Sequence, residues 1–416
     1  MNNITSDDLN VELDSLLKSK GLYSDRLIAL ERFHDSKKED IKHGINIQTE
    51  LSIVDYSHDT LKEGTCSTNF YKNDFDKNTG VKIFTLPEFM HDPKEYGSYK
   101  DRVSAIIRDR SKVDSLNKLD YLHMTLADIK IMIFENSVET FNVERLIEGN
   151  NYSHLILIIC EGSRLNIYFR SAHPNNYAAS SSSLDFSSSS DDTTTNTNNI
   201  ITDFTDIIVE KKSKVNIIEQ RMLSNSDIVF GRKNLELDEN SSANWINIDK
   251  DSKLALIEQK IILKGNNSSS TMSNILCGKD SQYTIYNISE HLGRNTTSLM
   301  QNKCGLRLSK AIVRGLVQID STAENSNGYQ KSDILLMDNV SRGISMPDLK
   351  IHNDKVKCSH GSTITRLDEE KIFYLQSRGL DRNDAEKLLV EGFYEKILAD
   401  IDDESLRDKI RLEVLS

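Results

Sequence analysis

The feature that most limits the fold is a turn-and-strand pattern that recurs irregularly from about residue 152 onward. In each copy, a few polar residues and a serine are followed by a short strand in which apolar and polar residues alternate. The copies that show it most clearly are Glu161-Gly-Ser-Arg-Leu-Asn-Ile, Glu210-Lys-Lys-Ser-Lys-Val-Asn-Ile, Lys250-Asp-Ser-Lys-Leu-Ala-Leu and Lys279-Asp-Ser-Gln-Tyr-Thr-Ile. A repeat of roughly a few tens of residues is typical of solenoids, in which each coil buries the apolar edge of its neighbour.

The same part of the chain is rich in short segments of Ile, Val, Leu and Tyr, which predict strands. These segments are Leu155–Cys160, Leu165–Phe169, Asp206–Glu210, Val215–Glu219, Ile228–Phe230, Trp245–Ile248, Leu254–Glu258, Ile261–Leu263, Tyr283–Ile288 and Ile312–Ile319. No helical pattern separates them, which disfavours a doubly wound α/β sheet. We therefore predict a mainly β protein with a parallel β-helix core over residues 151–366; a β-sandwich is the alternative.

Three segments fall outside this repeat. Residues 1–150 predict an N-terminal region that is helical over its first 50 residues and mixed α/β after them. Residues 367–416 predict a C-terminal helical subdomain, which we expect to plug the open end of the solenoid. Residues 177–199 consist mainly of Ser, Thr, Asp and Asn, and a segment with so few apolar groups predicts a disordered loop.

The composition excludes several classes of partner. The net charge of −12 and pI near 5.4 argue against binding to nucleic acid, which requires a basic surface. No apolar run approaches the roughly 20 residues needed to cross a bilayer, so no membrane insertion is expected. The five cysteines form no CxxC pair, and the acidic N-terminus has no signal-peptide pattern, which together predict a cytoplasmic protein with free thiols. No GxxxxGK[ST] or GxGxxG motif is present, so any ATP dependence must come from a partner.

The stretch from Pro347 to Gly379 changes from a strand pattern to a helical one, with Cys358 and His360 at the boundary between the two elements. It resembles the C-terminal signature of the SufB/SufD family, the scaffold subunits of the SUF iron–sulfur cluster assembly system, and within that family the SufD type. The matching segments are Val356–Gly361, Leu367–Glu370, Phe373–Leu375 and Ser377–Gly379. The resemblance independently implies a β-helix.

Thiolate and imidazole groups are both good iron ligands, and on a strand residues two apart share a face. From the residues alone, a buried structural cysteine is the stronger interpretation of Cys358. The resemblance implies that His360 lies at an interface with a SufB subunit, where a nascent cluster is built, and that Cys358 either joins it as a ligand or has a structural role. It also implies no cofactor bound tightly by this chain alone, a transient iron–sulfur cluster shared with SufB, and it leaves open a reduced flavin in the complex.

The resemblance further implies a non-catalytic scaffold in a complex of SufB, SufC and SufD, with the C-terminal helices docking SufC, an ABC-type ATPase. The residues expected at that contact are Asp368, Phe373, Arg378, Gly379, Leu388 and Phe393. The sequence does not decide whether the chain first pairs with itself as a homodimer, nor does it identify the cluster type or the final acceptor.

Other assignments remain as alternatives. In SufB-type chains a cysteine stands where this chain has Lys331, and acidic residues flank the histidine; these differences favour SufD, but a SufB-like scaffold stays open. A carbohydrate-active β-helix enzyme would need acids clustered on successive coils. The candidate acids Asp206, Asp227 and Asp333 show no repeating register, and the absence of a secretion signal disfavours an adhesive solenoid.

Overall fold

The fold was obtained as a computed structural model, which describes the greater part of the chain. The described residues are 17–20, 22–35, 41–44, 47–49, 65–69, 80–91, 96–111, 118–135, 138–173 and 198–415.

The described residues form helices at both ends of the chain and a long run of strands between them. The helices are α1 (Tyr23–Asp35), α2 (Leu86–His91), α3 (Gly97–Ser111), α4 (Lys118–Leu126), α5 (Glu369–Ser377), α6 (Arg382–Leu398) and α7 (Glu404–Leu415). The strands are β1 (Ile41–Gly44), β2 (Ile47–Thr49), β3 (Thr65–Asn69), β4 (Val81–Thr85), β5 (Asp128–Phe134), β6 (Val138–Glu148), β7 (Asn151–Ile159), β8 (Arg164–Ala172), β9 (Asn199–Val209), β10 (Lys214–Met222), β11 (Asp227–Leu237), β12 (Ser242–Lys250), β13 (Leu254–Leu263), β14 (Ser269–Lys279), β15 (Gln282–His291), β16 (Thr297–Arg307), β17 (Lys310–Ile319), β18 (Asn327–Leu336), β19 (Arg342–Ile351) and β20 (Lys357–Arg366).

The strands build a parallel β-helix with two faces, as the sequence predicted. Sheet 1 contains β3 and the even-numbered strands from β6 to β20, and sheet 2 contains β4 and the odd-numbered strands from β5 to β19. From β5 onward the chain alternates between the sheets, and each strand pairs in parallel with the strand two positions later. Parallel pairing between alternate strands rules out the β-sandwich alternative, because sandwiches pair their strands in antiparallel. Strands β3 and β4 run antiparallel to their neighbours and end the two sheets on the N-terminal side.

The corners between the sheets explain the serine pattern in the sequence. At most corners one residue has positive φ, and the residue after it is a buried serine or threonine. At one such corner Lys212 has φ of 58°, and the hydroxyl of Ser213 donates to the carbonyl of Cys160 at 2.9 Å. The same Ser213 oxygen accepts the backbone N–H of Ser163, one coil away, at 3.2 Å. The serine hydroxyl therefore satisfies backbone groups of the neighbouring coil, which a corner buried by stacking requires.

The interior between the sheets consists of two apolar stripes separated by polar side chains. Trp245 is fully buried in one stripe, among the inward residues of both sheets. Asn274 donates to Asn302 at 2.9 Å, and Asn302 donates to Ser332 at 3.1 Å, so amide and hydroxyl groups bond from coil to coil. Stacking of polar residues at steps of 28 to 30 positions thus supplies hydrogen-bond partners to part of the polar interior.

The N-terminal region differs in part from the prediction. Helix α1 agrees with it, whereas residues 41–44 and 47–49, predicted as helical, form the antiparallel pair β1–β2. The apolar spacing that suggested helix ends at Phe33, so the pattern gave no support for helix beyond it. Both sheets contain strands on either side of residue 151, where the domain boundary was predicted. The predicted loop 177–199 lies outside the described residues except for its last two, Asn198 and Asn199, and Asn199 begins β9.

The C-terminal helices do not plug the solenoid, which corrects that expectation. Helices α6 and α7 pack on the outer face of sheet 1, where Tyr394, Ile397 and Ile410 meet Ile246 and Ile275. The pattern of sheet 1 is apolar on both faces here, and the helices cover the outer one. None of the described helices is both long and apolar enough to span a membrane.

Candidate functional site

The last coil of the solenoid is open. Each of its strands, β19 and β20, pairs with one neighbour only, so one backbone edge of each is unpaired within the described residues. Leu349, Ile351 and Ile364 are between 37% and 47% exposed, although their partners one coil inward are buried. We call this surface the open end and define it by Leu349, Ile351, Cys358, His360 and Ile364.

Cys358 and His360 are the second and fourth residues of the ten-residue strand β20, whereas the sequence placed them between a strand and a helix. The sequence did not predict this strand because it is rich in Ser, Gly and Thr and shows no regular alternation of apolar and polar residues. Cys358 packs against the interior apolar stripe, which fixes the inward direction on this strand. His360, two residues later, lies on the same face, and it is exposed because no coil follows.

A second layer of polar side chains lies beneath these two residues. His360 pairs in register with Gln330, a buried residue whose side-chain amide donates to the carbonyl of Asp348 at 3.0 Å. Cys358 pairs with Gly328, where a Cβ would lie 3.6 Å from the Cys358 sulfur and 3.4 Å from His291 Nε2. The Cys358 thiol and the inner imidazole of His291 therefore both border the space that a side chain at Gly328 would fill.

Burial controls the protonation of this inner layer. It raises the pKa of the half-buried Cys358 thiol, which favours the neutral form. It lowers the pKa of His291 to about 4, and this ring bonds to the hydroxyls of Thr296 at 2.7 Å and Ser298 at 2.8 Å. An exposed imidazole at the rim thus lies above neutral groups, and it is the most accessible of the three for a metal ion brought from outside.

The residues expected to contact an ATPase lie on the C-terminal helices in two different settings. Asp368 is the N-cap of α5 and accepts the N–H groups of Glu370 and Lys371, while Gly379 follows that helix with φ of 98°. Phe373 is 73% exposed and Leu388 is 47% exposed.

Arg378 and Phe393 are the remaining residues expected at the ATPase contact. Arg378 lies over the ring of Tyr374, with its carbon 5.3 Å from the ring centroid. Phe393 instead packs against sheet 1, 4.5 Å from the ammonium of Lys303, and so belongs to the contact between α6 and the solenoid.

The other acids noted in the sequence are individually paired. Asp206 bonds to His154 at 2.7 Å, and Asp227 bonds to His173 at 2.6 Å, both in sheet 2. Asp333, on sheet 1, forms salt bridges with Lys303 at 2.8 Å and Lys331 at 3.2 Å. These pairs sit in different places and form no acid cluster of the kind that sugar hydrolysis requires.

Sequence reasoning missed a cluster of buried charges in the N-terminal half of the interior. Asp203 bonds to Arg145 at 2.8 Å and lies 3.4 Å from both Arg221 and Lys233. Burial opposes the ionisation of Asp203, but the nearby cations outweigh it and hold its pKa well below the usual range. The only signal in the sequence was that charged residues fall at inward-facing strand positions. Counting every second residue of a strand from the corner serine would have identified these positions as inward-facing. Among the described residues, no group of three or more His, Cys, Asp or Glu side chains is arranged to hold a metal ion.

Comparisons with known proteins identify the family of this chain. The model of the family "SUF system FeS cluster assembly, SufBD core domain" matches residues 151–393, more than half of the chain. The chain is 30% identical over 192 residues to the iron–sulfur cluster assembly protein SufB of Bacillus subtilis, which covers 46% of this chain and 41% of that protein. It is 35% identical over 101 residues to SufD of Escherichia coli, covering 24% of each. A SufBD family protein of Mycobacterium bovis is 28% identical over 198 residues, covering 47% of this chain and 23% of that protein.

These matches span less than half the length of the curated relatives. They include both SufB and SufD, so they identify the family and not the member. On the family match and the two-faced parallel β-helix, this chain belongs to the SufBD family of iron–sulfur cluster assembly proteins.

Proposed function

We propose that this chain is a SufD-type, non-catalytic scaffold subunit that pairs with a SufB subunit through its open end and presents His360 to a nascent iron–sulfur cluster. The observation that carries the proposal is the exposure of His360 within the apolar open end, on a strand with an unpaired backbone edge.

The open end has the chemistry of an interface. Exposed Leu349, Ile351 and Ile364 provide apolar contact, and the free edges of β19 and β20 provide backbone donors and acceptors. Burial of these groups by a second subunit would stabilise both, at about 25 cal/mol per Å² of apolar surface removed from water. A related β-helix with its own open end is a suitable partner, because its last strands can continue the pairing.

His360 then becomes part of a site shared between two chains. A neutral imidazole nitrogen binds iron, and one imidazole cannot by itself enclose a cluster, so the partner must supply further ligands. The cluster is therefore the cargo of the complex and not a resident group of this chain. Cys358 faces the same side but is half-buried, and burial favours its neutral thiol, so we assign it a supporting role.

The C-terminal helices are proposed to dock the SufC ATPase. Phe373 and Leu388 provide exposed apolar anchors on α5 and α6. Helix α6 is joined to sheet 1 by packing and by the Arg307–Glu386 salt bridge at 3.2 Å, and α5 is joined to α6 by the Arg382–Glu369 salt bridge at 2.7 Å. Movement of a docked ATPase would therefore be transmitted to the solenoid. In a pull-down with SufC, Phe373→Ser and Leu388→Ser should weaken capture at least tenfold. Leu412→Ser should not, although Leu412 on α7 is 68% exposed, and equal loss in all three variants would contradict the assignment.

The central test is anaerobic reconstitution with iron, sulfide, SufB and SufC. We expect the His360→Ala variant to form the three-subunit complex but to lose most of the visible cluster absorbance. Ser359→Ala is the matched control, because Ser359 is exposed on the same strand and faces the opposite side. Full cluster yield in His360→Ala, or equal loss in both variants, would refute the role of His360.

A SufB-like identity is the second candidate, and the match to SufB of Bacillus subtilis favours it. The position at which SufB-type chains carry a cysteine is Lys331 here, and its ammonium is paired with Asp333. Co-purification separates the two candidates: a SufD-type chain should pair with SufB in preference to SufD, and a SufB-type chain should do the reverse.

A further inference from the structure

A cavity of about 430 Å³ lies between the C-terminal helices and the corners of sheet 1, away from the open end. Its floor contains Cys277 and Gly305, and α6 forms one wall. Gly305 is required there, since a Cβ at this position would overlap the hydroxyl of Tyr394, which donates to the carbonyl of Leu276 at 3.1 Å. The cavity therefore lies at the contact between α6 and sheet 1. Its volume falls within the range of small-molecule sites.

The lining of this cavity is cationic in an acidic protein. Four basic residues line it, and they are Lys250, Lys279, Arg307 and Lys387. Two acidic residues line it as well, Asp251 and Glu386, which leaves a surplus of two positive charges against a chain total of −12. Such a local reversal of sign concentrates anions.

The carboxylates neutralise only part of this charge. Glu386 is shared between Arg307 at 3.2 Å and Arg382 at 2.9 Å, and the second of these lies outside the cavity lining. Within the described part of the chain, neither Lys279 nor Lys387 forms a salt bridge. Lys250 donates to the backbone carbonyl of Glu413 at 2.8 Å, and the charges of Lys250 and Lys279 both act on the Asp251 carboxylate.

We propose that this cavity binds a small phosphate-bearing molecule, with a diphosphate group held between the sheet-side cations Lys279 and Arg307 and the helix-side cation Lys387. Guanidinium and ammonium groups together match phosphate oxygens in shape and charge. The volume exceeds that of the anion alone and leaves room for an organic substituent against Cys277 and Val390. Recognition is by side chains, which is why the sequence shows no glycine-rich phosphate loop.

Because the cations come from both the sheet and α6, a bound diphosphate would bridge the two. The full-length chain is therefore titrated with inorganic pyrophosphate, ADP and citrate, with binding followed by calorimetry and by the thermal unfolding midpoint. We expect one pyrophosphate or ADP per chain and a midpoint that rises with its concentration. The double variant Lys279→Gln/Lys387→Gln should weaken binding at least tenfold while its midpoint without ligand stays unchanged, since both side chains are exposed.

The matched control is Lys214→Gln/Lys264→Gln, which removes the same charge away from the cavity and should bind pyrophosphate like the unmodified chain. Three outcomes would overturn the proposal: no binding of pyrophosphate or ADP at about 1 mM, equal weakening in the cavity and control variants, or citrate binding more tightly than both phosphate probes. This test uses neither SufB nor SufC, so its result does not depend on the proposed scaffold function.

Discussion

The two ends of the solenoid use similar residues and treat them oppositely. Near the N-terminal end, Ile131 and Ile133 on β5 are fully buried, because β4 pairs with that strand and α2 and α3 cover the outer face of sheet 2. At the C-terminal end, Ile351 and Ile364 remain exposed because no helix or strand of the described chain covers them. Residue type is the same at both ends, so the difference lies in what covers the strands. One end is finished within the chain, and the other has the chemistry of a surface that a second molecule completes.

The interior changes along the same axis. The N-terminal half contains ionised groups around Asp203, whereas the half nearer the open end contains neutral amides and hydroxyls such as Asn287, Asn302 and Ser332. Removing one partner of a buried ion pair lowers the free energy of unfolding more than removing one partner of a neutral hydrogen bond does. The half around Asp203 is therefore more sensitive to the loss of one of its own side chains, while the last coil is more sensitive to what covers it.

Breaking the charged half should give the largest effect. Asp203→Asn leaves Arg145, Arg221 and Lys233 with one carboxylate fewer, and a buried pair that loses a partner typically costs about 3–5 kcal/mol. Urea unfolding monitored by circular dichroism measures it. Asp354→Asn, an exposed carboxylate near the open end, is the control and should change the free energy of unfolding by less than about 0.5 kcal/mol.

The two ends can be compared directly with one substitution. Ile133→Ala, at the covered end, should lower the free energy of unfolding by about 2–5 kcal/mol, because it removes fully buried methyl groups and leaves a cavity. Ile364→Ala, at the open end, should lower it by less than about 1 kcal/mol, because this side chain is 47% exposed already. Equal losses in the isolated chain would show that the last coil is covered in solution.

Acidification should weaken the layer below the open end. The pKa of His291 is about 4 in the folded chain and about 6.5 when unfolded, so the unfolded state binds more protons between these values. Stability therefore rises from pH 4 to pH 6.5, by up to about 3 kcal/mol, and is level above it. His291→Gln should flatten this part of the pH profile of unfolding, and an unchanged slope would contradict the role of burial.

A charge placed at the open end should have the smallest effect on stability of these substitutions but should weaken assembly with a partner subunit. Ile364→Asp adds a charge to the open end and should leave the thermal midpoint of the isolated chain nearly unchanged, since the position is partly exposed. It should weaken association with a SufB subunit at least tenfold, about 1.4 kcal/mol, because the charge would be buried without a partner. Sedimentation of the mixed subunits measures this association. Unchanged association would show that the interface does not include Ile364.

The sequence was sufficient for the architecture because the corners carry a local rule. A residue with positive φ, followed by a small hydroxyl side chain, recurs at most turns from one sheet to the other, as at Asn240-Ser241 and Asp280-Ser281. Strand β20 was missed because its inward positions, including His360 and Ser362, lack the apolar period that burial imposes elsewhere. The family resemblance supplied His360, and no periodicity would have done so.

Features that depend on contacts between distant parts of the chain could not be predicted. The amphipathic pattern of α6 indicates that one of its faces is buried, but it does not identify the surface that buries it. Only the structure shows that this surface is the outer face of sheet 1, where Tyr394 lies over Gly305. The charge cluster joins β6, β9, β10 and β11, and no local spacing relates Arg145 to Lys233.

The reversed strands β3 and β4 limit how such a molecule can assemble. A stack of parallel coils with two free edges would add further copies head to tail without limit and form fibres. Here a neighbour arriving at the N-terminal side would meet strands that run the wrong way to continue the parallel register. Head-to-tail stacking in the parallel register is therefore blocked at that side, and a contact between the open ends of two such solenoids joins only two molecules.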